Sequence, residues 1–275
     1  VRHLDAFAGI GGFSVAAEKV GIETVAFVER DPFCRSLLGK HFPGRPVFDD
    51  IKTFSGGEVG AIDLVTAGIP CQPYSIAGKR KGADDERALW PELERVVGIK
   101  RPAWVVVENV IGFASMALEP VLDGFQAMGY SALPIRIPAC AAGSPQLRER
   151  VFIVALSDVA YGNGAGRQGG DHDWRQDQEW KSVMGHLGRC VASAAPRWPA
   201  GPGEATFLWE KVRLTRAEPG VGRTVNGLPY GVDRSFRIGR KPRLRALGNC
   251  VVPYQVLPIL AAIKIIHDKA TGEVQ

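Results

Sequence analysis

A chain of 275 residues, 45% apolar and 23% charged, has the make-up of a soluble globular protein with room for a sizeable core. Its five cysteines (34, 71, 140, 190 and 250) are odd in number and form no Cys-x-x-Cys pair. That pattern excludes a disulfide framework and a zinc site and points to a reducing, cytoplasmic setting. The net charge is +5, and its excess lies in residues 201–275, with 12 Lys and Arg against 6 Asp and Glu.

No signal peptide is expected, because the first residues run straight into a Gly-rich fold element. Arg2 to Phe7 reads as a strand, Ala8-Gly9-Ile10-Gly11-Gly12 as a tight turn, and Phe13 to Val20 as a helix stopped by Gly21. Strand, Gly-rich turn and helix in that order open a nucleotide-binding α/β fold, in which glycines let a ligand approach the backbone and the helix N-terminus offers free N–H groups. Glu23 to Val28 is a second strand, ending in Glu29, which is placed to accept hydrogen bonds from a ribose diol. At this point NAD and S-adenosylmethionine are equal candidates. Asp31-Pro32 caps and opens a helix through Gly39, and Asp49-Asp50 follows as a loop whose carboxylates face an adenine amine or water.

Asp63 to Ala67 is an apolar strand running into Gly68-Ile69-Pro70-Cys71-Gln72-Pro73-Tyr74-Ser75. Cys71 thus stands just past a strand's carboxyl end, where reacting groups collect in open α/β sheets, and the flanking prolines hold the backbone extended. Ala77 to Ala83, with Lys79, Arg80 and Lys81, suits a basic lid over an anionic substrate. Asp84 to Val97 is an amphipathic helix with Leu89, Leu93, Val96 and Val97 on one face. Ala103 to Val107 is a buried central strand that delivers Glu108-Asn109-Val110 to the sheet edge holding Cys71. A carboxylate there is costly unless paired or used, so Glu108 is a candidate functional group.

Leu118 to Met128 is read as a helix ended by Gly129, Tyr130 to Ile137 as a strand, and Val151 to Leu156 as another. Before the latter, Gln146, Arg148 and Arg150 share one face by period-two alternation, forming a polar clamp for phosphate or a base edge. Ser157 to Ala205 is loop-rich, and its His172 and His186 lack ligand spacing. Thr206 to Arg245 is basic and turn-rich, and Arg234, Arg237, Arg240, Lys241, Arg243 and Arg245 form an acid-free run suited to phosphates. Gly248-Asn249-Cys250-Val251-Val252-Pro253 then opens a final helix, Tyr254 to His267, whose apolar run contains Lys264 and is too short to span a bilayer.

Taken together, Asp5-Ala6-Phe7-Ala8-Gly9-Ile10-Gly11-Gly12-Phe13, Glu29, Pro70-Cys71-Gln72-Pro73-Tyr74-Ser75, Glu108-Asn109-Val110, Gln146-Leu147-Arg148-Glu149-Arg150 and Gly248-Asn249 resemble the ordered motifs of the DNA (cytosine-5)-methyltransferase family, in its short bacterial or phage-type form. The resemblance covers residues 2–156 and roughly 243–267. It implies a class I S-adenosylmethionine-dependent methyltransferase fold, α/β and Rossmann-like with a mixed seven-stranded sheet, and a small target-recognition region. The implied division is 1–156 for catalysis and cofactor, 157–242 for target recognition, and 243–275 returning to the catalytic domain.

The implied reaction is methyl transfer to C5 of a flipped-out cytosine in duplex DNA through a covalent bond between Cys71 and C6. Glu108 would hydrogen-bond the ring, Arg150 would contact O2, and Arg148 would hold the backbone or favour the thiolate. S-adenosylmethionine would rest on Phe7, Gly9, Ile10, Gly11, Gly12, Glu29, Asp50, Pro70 and Asn249. Gln72, Ser75, Lys79, Arg80 and Gln146 would meet the DNA. Double-stranded DNA is the expected partner, a cognate restriction endonuclease a further one, and a cytoplasmic monomer without metal the expected state. RNA as substrate, a nicotinamide-dependent oxidoreductase and a non-catalytic cofactor- and DNA-binding module are the rival readings.

Overall fold

The structure, a computed structural model, describes residues 1–70, 89–142, 148–160 and 240–272, with side chains excepted at 114–116 and 240–244. A seven-stranded sheet has the order β3-β2-β1-β4-β5-β7-β6. Its strands are β1 (Arg2–Ala6), β2 (Glu23–Val28), β3 (Val47–Phe48), β4 (Leu64–Gly68), β5 (Trp104–Val110), β6 (Tyr130–Pro138) and β7 (Glu149–Ser157). The first five are parallel, while β7 lies antiparallel between β5 and β6. The mixed seven-stranded α/β sheet expected from the sequence is therefore present.

Alternation along the strands feeds two separate layers. Val105 and Val107 face helices α3 (Trp90–Lys100) and α4 (Ile111–Ala127), meeting Leu93, Val96, Val97 and Phe125. Trp104 and Val106 face the other way, onto α1 (Gly12–Lys19) and a long helix at Pro253–Thr271, where Phe13 and Ala17 meet Val256, Ile259 and Ile263. Helix α2 (Pro32–His41) begins on Asp31, whose Oδ1 accepts from Phe33 N at 2.8 Å and Cys34 N at 3.3 Å. Among the described residues no helix is long and apolar enough to cross a membrane.

Several boundaries differ from the sequence reading. Helix α3 begins at Trp90 with Leu89 just outside it, because Pro91 lacks an N–H and suits the first helical turn, while the expected start at Asp84 lies outside the described residues. Helix α4 starts seven residues early, at Ile111, and runs through Pro120. Its stripe of Phe113, Ala117, Val121 and Phe125 is buried at four-residue spacing, and that packing outweighs the hydrogen bond Pro120 cannot make. Strand β5 extends to Val110, so Glu108 lies within it, since pairing with β7 continues to Val110 opposite Arg150. A helix, α5 (Arg240–Asn249), occupies the end of the segment expected to be turn-rich. Gly248 and Asn249 therefore close α5 rather than open the final helix, α6 (Pro253–Thr271). Leu247, Ala246 and Cys250 explain α5, since they bury against Ile10, Cys34 and Leu37.

Candidate active site

Strand β1 leads outward to β2 on one side of the sheet, while β4 and β5 continue on the other, so the order reverses between β1 and β4. The crevice beyond the carboxyl ends of those two strands is where such sheets bind ligands. Its floor is the Gly-rich turn. Phe7, Gly9 and Gly11 all have left-handed backbones, with φ of 55°, 56° and 86°. Among the described residues other than its chain neighbours, no atom lies within 4 Å of where a Gly9 side chain would start, so the backbone there is open to close approach. Gly11, the residue before helix α1, has no side chain to cap it, so the first-turn N–H groups bond elsewhere, Gly12 N to the Cys250 sulfur and Ser14 N to Asp5. Glu29 tightens the turn from β2: its Oε2 accepts from Gly9 N and its Oε1 from Asp31 N, both at 2.7 Å. Each oxygen keeps acceptor capacity for a diol, and burial raises the carboxyl's pKa.

Beneath the turn lies a fully buried polar chain. Ser14 Oγ donates to Asp5 Oδ2 at 2.7 Å, and Thr66 Oγ1 donates to Oδ1 at 3.1 Å. The Ser14 N–H also bonds this carboxyl, so Asp5 supplies from β1 the N-terminal cap that Gly11 cannot. His3 Nε2 lies 2.7 Å from Thr66 Oγ1 and His3 Nδ1 2.8 Å from Thr24 Oγ1. Because Thr66 gives its proton to Asp5, His3 donates from Nε2 and accepts from Thr24 at Nδ1. Burial pushes the Asp5 carboxyl up to about 7, against the hydrogen bonds from Ser14 and Thr66. Burial, helped by Arg45, drops His3 to about 3 and keeps it neutral.

The opposite wall carries Glu108, which is 6% exposed. Arg150 Nε stands 2.7 Å from its Oε1, reached because Val110 and Arg150 are register partners across β5 and β7. The pair is close but not aligned as a hydrogen bond, so Oε1 keeps no directional donor among the described residues. Burial raises the Glu108 pKa and outweighs the opposing pull of Arg150 and then Arg148. The group is thus biased toward the protonated form that can donate a hydrogen bond. Gly68 joins the two walls. A methyl group placed on it would lie 3.7 Å from both Phe7 O and Val251 Cγ2, and 3.9 Å from Glu108 Oε2.

Val251 belongs to the segment between α5 and α6, which fits tightly against the turn. A side chain on Gly12 would come within 2.4 Å of Val251 O. Arg148 holds the same segment, donating to Gly248 O at 2.8 Å and Cys250 O at 2.7 Å. Arg148 and Arg150 therefore do not aim at one target: Arg148 serves the backbone of residues 248–250, and Arg150 serves Glu108.

Of the residues singled out from sequence, the structure brings Phe7, Gly9, Ile10, Gly11, Gly12 and Glu29 together at the turn. Glu108 and Arg150 sit across from it. Pro70 and Asn249 are exposed, at the end of β4 and of α5. Asp50 lies beyond β3; its Oδ1 caps Lys52 N at 3.0 Å and Arg30 Nε is 4.0 Å from its Oδ2. Cys71, Gln72, Ser75, Lys79, Arg80 and Gln146 lie outside the described residues, as does nearly all of 157–242. Among the described residues no group of three or more His, Cys, Asp and Glu could hold a metal ion. Sequence reasoning passed over Asp5, His3, Thr66 and Gln255, although a polar side chain inside an apolar strand or helix is itself a signal.

The model of the C-5 cytosine-specific DNA methylase family matches residues 1–186, which contain the Gly-rich turn, Glu29, Glu108 and Arg150. The chain belongs to that family. Two curated relatives are the type II methyltransferase M.HgiBI of Herpetosiphon aurantiacus, 36% identical over 169 residues, and the type II methyltransferase M.HhaI of Haemophilus parahaemolyticus, 36% identical over 161. These alignments cover 59% and 57% of this chain but 39% and 49% of the relatives, so the chain spans less than half the length of the two. The fold is also that of the S. pombe Dnmt2 methyltransferase, with a TM-score of 0.62 at 18% identity, covering 97% of this chain and 99% of that one. The family model ends before Asn249 and Val251, and it is the structure that places residues 248–255 against the turn.

Proposed function

We propose that this chain transfers a methyl group from S-adenosylmethionine to C5 of a flipped-out cytosine in duplex DNA, through a covalent bond between Cys71 and C6. The observation that carries this reading is the buried Glu108–Arg150 pair facing a Gly-rich turn across one crevice, in a chain of this methylase family.

The turn fits the cofactor: open backbone at Gly9 and a carboxylate at Glu29 with acceptor capacity left for a ribose diol. Phe7, Gly9, Ile10, Gly11, Gly12 and Glu29 would hold it, with Asp50, Pro70 and Asn249 at the rim. When bound, the cofactor supplies an electrophilic methyl group. Cytosine C5 is a poor nucleophile until a group adds to C6; the Cys71 thiolate is suited to that addition, and after methylation loss of the C5 proton with cleavage of the Cys71–C6 bond would restore the aromatic ring and the thiolate. Glu108, whose pKa burial raises, would donate from its protonated form to ring N3 and stabilise the electron density that builds there. Arg150, already beside Glu108, is within reach of the base's O2. Arg148 acts from behind, holding residues 248–250 against the turn. Atoms this deep in a crevice meet a base only after it leaves the duplex stack. Gln72, Ser75, Lys79, Arg80 and Gln146 would contact the DNA, and residues 157–242 would read its sequence. Such an enzyme works as a cytoplasmic monomer beside its DNA, and the type II relatives suggest a cognate endonuclease as partner.

The test is incubation with S-adenosylmethionine and unmethylated genomic DNA, read by base-resolution sequencing. 5-Methylcytosine in one short context is expected, with no product from Cys71→Ala although it still binds cofactor in calorimetry. Methylation of RNA instead, or cofactor binding without any methylation, would overturn the reading.

A further inference from the structure

We infer that Gln255 is a positioning residue for the Glu108–Arg150 pair, acting through the backbone at the start of β7; this rests on the function proposed above. Gln255 lies in the first turn of α6 and is 0% exposed, surrounded in sequence by Val252, Val256 and Ile259, which are buried with it. An amide in such a place is costly unless it is bonded. Its Nε2 donates to Ile137 O and to Arg148 O, each at 2.9 Å. Two carbonyls on the same side fix which end of the amide points there, because an oxygen would be repelled by both. Its Oε1 has no hydrogen-bond partner among the described residues, so the whole bonding capacity of the group goes to those two carbonyls.

The two carbonyls bracket one residue. Ile137 is the register partner of Arg150 across β6 and β7, and Arg148 lies two positions before Arg150 on its own chain. Gln255 thus grips the end of the ladder from the neighbouring strand and along the strand itself, where Arg150 must be aimed. The grip is reciprocal, since the Arg148 guanidinium holds Gly248 O and Cys250 O of the segment that leads into Gln255. A second donor, Ala139 N, already bonds Arg148 O at 2.8 Å. Loss of the Gln255 amide therefore leaves the strand paired but free to tilt, and a tilt moves the Arg150 side chain relative to Glu108. A purely structural glutamine would alter stability alone.

The experiment compares Gln255→Met, which conserves volume and removes both donors, with Ile259→Ala, which removes buried apolar contact one turn along the same helix. Single-turnover methyl transfer is followed between about pH 5.5 and 8.5, with cofactor affinity measured by calorimetry. Gln255→Met should lower the transfer rate roughly ten- to a hundredfold, with cofactor affinity unchanged. The limb on which activity falls with rising pH should move upward, because Glu108 loses the nearby positive charge that favours its ionised form. Carboxyl-labelled NMR should show the same upward move of the Glu108 titration. Ile259→Ala should show neither pH effect despite its lower thermal midpoint. An unmoved Glu108 titration in Gln255→Met, or one matched by Ile259→Ala, would overturn the inference. Failure of the unsubstituted chain to form 5-methylcytosine would overturn the functional reading instead, and the NMR titration would still decide the positioning role.

Discussion

Asp5→Asn and His3→Gln should leave proteins whose stabilities respond to pH in opposite directions. In the folded chain Asp5 sits at about 7, well above its ordinary 3.8, so its contribution is fully present below 3.8 and is lost as pH rises toward 7. His3 sits at about 3, well below 6.5, so its contribution is fully present above 6.5 and is lost as pH falls toward 3. Between those limits the folded pair is a neutral acid and a neutral imidazole, while the unfolded pair is a carboxylate and an imidazolium. Both states hold one proton on the pair, and the two slopes cancel.

Each substitution unmasks the other group's slope, about 1.4 kcal/mol per pH unit. From about pH 4.5 to about pH 6, Asp5→Asn should gain about 2 kcal/mol relative to the unsubstituted chain, and His3→Gln should lose about 2 kcal/mol. All other titrations are shared and drop out of the differences. Urea unfolding at the two pH values measures them directly, using the linear dependence of stability on denaturant. Two variants that track the unsubstituted chain in parallel would refute the neutral Asp5 and neutral His3 inferred for the buried chain.

Gly12→Ala should lower stability by about 1–3 kcal/mol, as overpacking does, because the new methyl group must displace the Val251 backbone. A lower thermal midpoint together with weaker cofactor binding in calorimetry is the expected result, and an unchanged midpoint would mean that the segment yields freely. At a pH high enough to ionise Glu108, Arg150→Met should destabilise the chain by removing the positive charge beside a buried carboxylate, and Glu108→Gln in the same chain should recover much of that loss; at lower pH, where Glu108 is protonated, the loss should be small. A double-mutant cycle in urea reads this coupling, and additive losses would show that the pair is not energetically linked.

Much of this layout could be read from residues alone. The span of β2 was legible because an apolar run ends at Glu29 and Asp31-Pro32 immediately caps the next helix. The Gly-rich turn and the placement of Glu108 near it were legible for the same reason: local chemistry and sheet topology agree there. Helix α4 was not, because its first turns have no side-chain cap and Pro120 imitates a break, while the decisive contacts of Phe113 and Phe125 are tertiary. Helix α5 was hidden by its basic composition, with only a few apolar positions to reveal a face. The split duties of Arg148 and Arg150 were also out of reach. Alternation sets both side chains on one face, but Arg148 finds its partners about a hundred positions further along the chain, whereas Arg150 meets Glu108 on a strand made earlier.

The wedge formed by residues 248–255 has a consequence for the order of synthesis. The ribosome makes all seven strands of the sheet, with Glu108 and Arg150, before it reaches Gly248. Until then the crevice lacks the wall that Val251 provides, and the faces of α1, Trp104 and Val106 that α6 covers stay open to water. A chain halted short of Gly248 therefore presents a broad oily surface and an unfinished pocket, marking it for chaperones and proteases.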